Sequence, residues 1–74
     1  MNEIDKLRVL IPHWIDHNSE HASEFQRWAE PPGKATPELL AAAEAMGKVN
    51  HALSIALEKL GGPMPQPHFH SPPE

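Results

Sequence analysis

Seventy-four residues hold one domain at most, and a chain this short buries too little apolar surface to be comfortably stable alone, so a partner, a disulfide or a metal is needed. The absence of cysteine removes both the disulfide and any thiolate metal site. Ten acidic residues against six Lys and Arg, with no basic run, argue against a phosphate backbone as partner, so no nucleic acid is expected.

The start, Met1-Asn2-Glu3-Ile4-Asp5, lacks a basic n-region, and no apolar stretch long enough for a signal peptide or a membrane span follows it. The expectation is a cytoplasmic protein with no membrane partner. Nine prolines then divide the chain: Pro12, three between residues 31 and 37, and five from Pro63 onward. They fence off two proline-poor segments and a tail, which gives a helical domain over 1–62 and a proline- and histidine-containing tail over 63–74.

In the first segment, from about Asp5 to Glu30, the residues Leu7, Ile11, Trp14, Asn18, His21, Phe25 and Trp28 recur at alternating spacings of four and three, the signature of a heptad seam. Asp5 is the expected N-cap. Pro12 falls inside the segment, where it removes one hydrogen bond and crowds the carbonyl of Arg8, predicting a kink or a late start. Glu30-Pro31-Pro32-Gly33 stops the helix, because a residue before proline avoids helical geometry and two prolines cannot continue it.

Thr36-Pro37-Glu38 opens a second helix with a capping oxygen, a proline at the first helical position and a carboxylate near the positive end of the dipole. Its seam is Leu39, Ala43, Met46, Asn50, Leu53, Leu57 and Leu60, and Gly61-Gly62-Pro63 ends it. Two helices of similar length across a short connection predict an all-α antiparallel hairpin, coiled-coil-like, with Trp28 by Leu39, Phe25 by Ala43, Trp14 by Leu53 and Leu7 by Leu60. Asn18 then faces Asn50 at mid-length, with His17 and His51 beside them and His21 level with Met46. Leu40, Val49 and Ala56, with Leu10 and Ile15, form a second apolar row that a lone hairpin would expose, so the hairpin is expected to pair with a second copy into a four-helix bundle.

His13, His17 and His21 stand four residues apart, which puts three imidazoles on one stripe of the first helix. Neutral imidazole is a good ligand for nickel, zinc and copper(II). Two adjacent histidines reach one ion, so a full shell needs water, Asp16, Glu20, or histidines from a second chain. Any one of these histidines taken singly reads as an ordinary surface or seam residue, and it is the strict spacing of three that points to a metal; the two asparagines can set register with no metal at all. Trp14, beside His13 and one turn before His17, is expected to wall such a site. In the tail, His68 and His70 are weaker metal candidates, as is His51. No Ser-His-Asp order, cysteine or Gly-rich phosphate loop is present, and the chain is not expected to be an enzyme.

The run His13-Trp14-Ile15-Asp16-His17-Asn18-Ser19-Glu20-His21 has the pattern H-W-x-x-H-x-x-x-H and resembles the signature of the CooJ family, nickel-binding accessory proteins of carbon monoxide dehydrogenase maturation. The resemblance extends over residues 6–30 and more loosely over the apolar helix from Leu39 to Leu60. It implies a coiled-coil homodimer with nickel held at its interface by His13, His17 and His21, lined by Trp14. A metalloenzyme under assembly, or its maturation factors, would then be the recipient. The tail departs from the family's His-rich pattern, with only His68 and His70, which sets bulk nickel storage aside. The alternative is a dimerisation or adaptor module whose polar layer only sets register.

Overall fold

The computed structural model describes residues 2–31 and 33–65. Two helices, α1 (Glu3–Ala29) and α2 (Thr36–Lys59), pack against each other as an antiparallel hairpin. Helix α1 begins earlier than its sequence suggested. Asn2, not Asp5, is the N-cap, its side-chain oxygen accepting the Asp5 backbone N–H at 2.7 Å. The helix then runs through Pro12 without a break, so the proline neither delays its start nor ends it.

The connection is held by Thr36. Its hydroxyl accepts the Gly33 N–H at 2.8 Å and reaches the carbonyls of Ala29 and Pro31, both at 3.4 Å. Thr36 therefore ties down the turn rather than capping α2, whose N-cap is Ala35 with no side-chain bond. At the far end α2 closes with paired backbone bonds, Gly62 N–H to the Leu57 carbonyl and Gly61 N–H to the Glu58 carbonyl. This double closure needs a left-handed residue just past the helix, and Gly61 supplies it at φ 105°.

One mid-length bond fixes the register: Asn18 Nδ2 donates to Asn50 Oδ1 at 3.0 Å. Stepping along both helices from that layer sets Ala29 level with Leu39, Phe25 with Ala43, Ala22 with Met46, Ile15 with Leu53, Ile11 with Leu57 and Arg8 with Leu60. The α2 seam is the expected one. The α1 seam is not, because it is Arg8, Ile11, Ile15, Asn18, Ala22, Phe25 and Ala29, all buried or half-buried. Leu7, Trp14, His21 and Trp28 sit beside it and are exposed, Trp28 by 68%.

The reason for the shift is volume. Both candidate rows share Ile11, Asn18 and Phe25, but Trp14 against Leu53 and Trp28 against Leu39 would overfill those layers. Ile15 and Ala29 fit them, alternating with the small Ala43 opposite Phe25. The resulting core is thin. Among the described residues only Ile11, Ala29 and Ala43 are fully buried, at 3%, 3% and 6% exposure. No helix among the described residues is long and apolar enough to cross a membrane.

Candidate functional site: a histidine stripe beside an unfinished face

The seam divides the surface of the hairpin into two broad faces. In an antiparallel pair the residues one place before each core position flank the same side. By that rule Leu7, Trp14, His21 and Trp28 of α1 share a face with Ala42, Val49 and Ala56 of α2, and Leu10 and His17 lie at its α1 edge. Leu7, Leu10, Trp14, Trp28 and Val49 are all exposed here. A shallow depression of about 280 Å³ between Glu3, Lys6, Leu7 and Leu10 continues the face toward the first turns of α1.

Pro12, Ser19, Gln26, Leu40, Gly47 and Ser54 flank the opposite face. Its polar character reaches inward: the Asn50 amide, having accepted from Asn18, donates to Ser19 Oγ at 3.0 Å and to the Ile15 carbonyl at 3.2 Å. Both amide protons and one acceptor position of Asn50 are thus used within one chain. Of the second apolar row expected from sequence, Val49 and Leu10 fall on the apolar face, Ala56 is half-buried beside it, Ile15 belongs to the seam and Leu40 lies on the polar face.

The three stripe histidines are exposed. Because the four-residue spacing winds slowly around the helix, they cross the outer surface of α1 obliquely. His21 flanks the seam, His17 is next to it on the apolar face and His13 stands furthest out. His21 is therefore not in the seam; Ala22 takes the place level with Met46. His51 is exposed on α2 and turned to the polar face, apart from the stripe. His68 and His70 lie outside the described residues.

Each of the two inner histidines has a carboxylate one turn on. His17 Nδ1 is 3.9 Å from Glu20 Oε1, and His21 Nδ1 is 4.0 Å from Glu24 Oε1. The His21 ring also stacks on Phe25, with centroids 6.2 Å apart and planes 20° from parallel. Trp14, 42% exposed, stands between Leu7 and His21 on the same row. Among the described residues no group of three His, Cys, Asp or Glu side chains converges within one chain to hold a metal ion. The stripe thus offers pairs of imidazoles, and a third and fourth donor would have to come from water or from another molecule.

Sequence reasoning missed Arg8, which occupies a seam position yet is charged. Its guanidinium crosses to the end of α2, with Nε donating to the Gly62 carbonyl at 2.7 Å and Nη2 lying 3.3 Å and 3.4 Å from the carbonyls of Gly61 and Pro63. Asp5 stands 3.9 Å from the same group. A positive charge near the negative end of a helix dipole is favourable, and the carbonyls it bonds lie in the Gly61-Gly62-Pro63 stop just past the C-cap Leu60. With the sequence seam running through Leu7, and with partners 53 to 55 residues away, Arg8 carried no local signal.

No curated protein and no solved structure matches this chain. Residues 7–60, from the second turn of α1 to the C-cap of α2, match a family described as a domain of unknown function (DUF8180). That span takes in the seam of both helices, the asparagine layer, the histidine stripe and Arg8, and it covers well over half of the chain, which therefore belongs to that family.

Proposed function

We propose that this protein is a nickel-binding accessory protein that buffers Ni(II) or delivers it to a metalloenzyme being assembled. In this reading the hairpin is a homodimer, and the ion is held between histidines of the two copies. One observation carries it: His17 and His21 stand exposed on or at the edge of the face that also exposes Leu7, Leu10, Trp14, Trp28 and Val49. A second copy laid on that face covers apolar surface that a thin core leaves open, and it brings a second pair of imidazoles to the first. His17 lies close to the middle of α1, where helices related by a perpendicular twofold axis would meet like against like.

The donor set suits the ion. Imidazole nitrogens without thiolates bind Ni(II), and also Zn(II) or Cu(II), when neutral. His13, at the outer end of the stripe, pairs with His17 and supplies a further nitrogen, and Trp14 shields the ions from solvent. The H-W-x-x-H-x-x-x-H pattern supports the same reading.

The test is a nickel titration by calorimetry on the dialysed protein, about one unit above the usual imidazole value of 6.5, with the oligomer mass recorded before and after. Submicromolar binding at about one ion per one or two chains, lost in the H17A/H21A variant, is expected. Full affinity in that variant sinks the interface site.

A second reading has its own observation. The Asn18–Asn50 layer is satisfied inside one chain and needs no metal, which suits an adaptor whose polar layer sets register. A dimer that binds no nickel selects it.

A further inference from the structure

Each histidine of the stripe is followed three residues later by a carboxylate: His13 by Asp16, His17 by Glu20 and His21 by Glu24. One such pair on a charged helix is unremarkable, but the two described above repeat in atomic detail. In both, the carboxylate oxygen faces Nδ1 and not Nε2, at 3.9 Å and 4.0 Å. The side chains are more than half exposed, so the contact is worth little as an ion pair. Its effect is on which nitrogen carries the proton.

A carboxylate beside Nδ1 favours the proton on that nitrogen, and the lone pair then sits on Nε2, at the tip of the ring. A histidine that binds metal through one nitrogen usually donates the other N–H to a carboxylate, carbonyl or water, which fixes the tautomer and raises ligand basicity. A carboxylate on the Nδ1 side is on the wrong side of the ring to bind the same ion. Of the donors the sequence left open for the shell, which were water, Asp16, Glu20 or histidines of a second chain, this removes Glu20.

Resting on the metal-binding reading above, we infer that Glu20 and Glu24 are positioning residues of the His17 and His21 metal site. Each accepts a hydrogen bond from the Nδ1–H of its own histidine, so that both rings coordinate through Nε2. The present separations exceed a hydrogen bond, and a modest rotation of the glutamate brings its oxygen to the roughly 2.8 Å of a charge-assisted bond as the ring takes up the ion.

Two measurements on the full chain test this. In the metal-free protein, nitrogen-15 spectra of the imidazoles at a pH where they are neutral should show His17 and His21 protonated at Nδ1. The E20A/E24A variant should lose that preference. In calorimetry the same variant should bind nickel about 10- to 100-fold more weakly, while E20Q/E24Q, which keeps an acceptor oxygen, recovers most of the affinity. Protonation at Nε2 in the parent protein, or unchanged nickel affinity in E20A/E24A, overturns the inference. A Gln variant as weak as the Ala variant makes the carboxylates ligands and overturns it too. Failure of the parent protein to bind nickel removes the metal-binding reading itself, whereas intact binding with no loss in E20A/E24A removes only the role given to the glutamates.

Discussion

The two broad faces of the hairpin are built from the same helices yet completed in opposite ways. On one, Ser19, Gln26, Gly47 and Ser54 flank a seam whose Asn50 amide bonds Asn18, Ser19 and Ile15 within one chain, and Leu40 is exposed near the turn. On the other, Leu7, Trp14, Trp28 and Val49 stand exposed beside small Ala42 and Ala56, and the two inner histidines lie among or next to them. On the function proposed above, that contrast matters: the face left apolar and exposed is the one a second copy and an ion would occupy.

The largest expected effect breaks the contrast directly. Trp14→Glu puts a charge on the unfinished face, and loss of a tryptophan anchor costs about 2 kcal/mol or more of association. If the proposed dimer forms, analytical ultracentrifugation should show the variant dissociating at concentrations where the parent protein holds together. Ser54→Glu, the matching change on the finished face, should leave the mass distribution unaltered. If both variants behave alike, the two faces are not functionally distinct.

Asn50→Ala acts inside the layer between the faces. It strands the Asn18 amide in a half-buried position, and a cost of about 1–3 kcal/mol should appear in the urea midpoint. Replacing both asparagines by Leu should restore stability while broadening the oligomer distribution, because an apolar layer no longer penalises wrong registers.

Smaller effects sharpen the picture at the open end. Arg8→Met keeps the apolar stem but removes the donors to three carbonyls, an expected loss of about 1–2 kcal/mol in urea unfolding. Gly61→Ala forces a side chain into the left-handed region at φ 105° and should lower stability by about 1 kcal/mol, read as a few degrees in Tm.

Much of this architecture is legible from residue order because local signals agree: the Pro-Pro turn, Pro37 at the start of α2 and the Gly-Gly stop bound the helices to within a residue or two. The α2 seam is legible for a related reason, since Leu39, Met46, Leu53, Leu57 and Leu60 hold one phase through the whole helix while Leu40, Val49 and Ile55 off it form no continuous row. Helix α1 carries two overlapping rows that share Ile11, Asn18 and Phe25. Hydrophobicity favours the row with both tryptophans, whereas the volume available opposite Leu39 and Leu53 selects the other. Periodicity contains no information about the partner's volume, which is why His21 moved from core to face. The spacing of the stripe was visible in the sequence, but its relation to the apolar face depends on that choice of row. Arg8 was hidden for a different reason, its partners lying 53 to 55 residues away along the chain.

The Arg8 contact also changes how the molecule can come apart. A hairpin tied only at its turn unzips from the free end, and its terminal amides exchange with solvent almost as fast as in an unfolded chain. With Arg8 bonded across to Gly62, the helices are fastened at both ends, and opening must either release that arginine first or begin between the fastenings. Backbone amides near Leu57 and Leu60 should therefore exchange more slowly than in an otherwise similar hairpin with an open end. In Arg8→Met the protection should drain away from that end first.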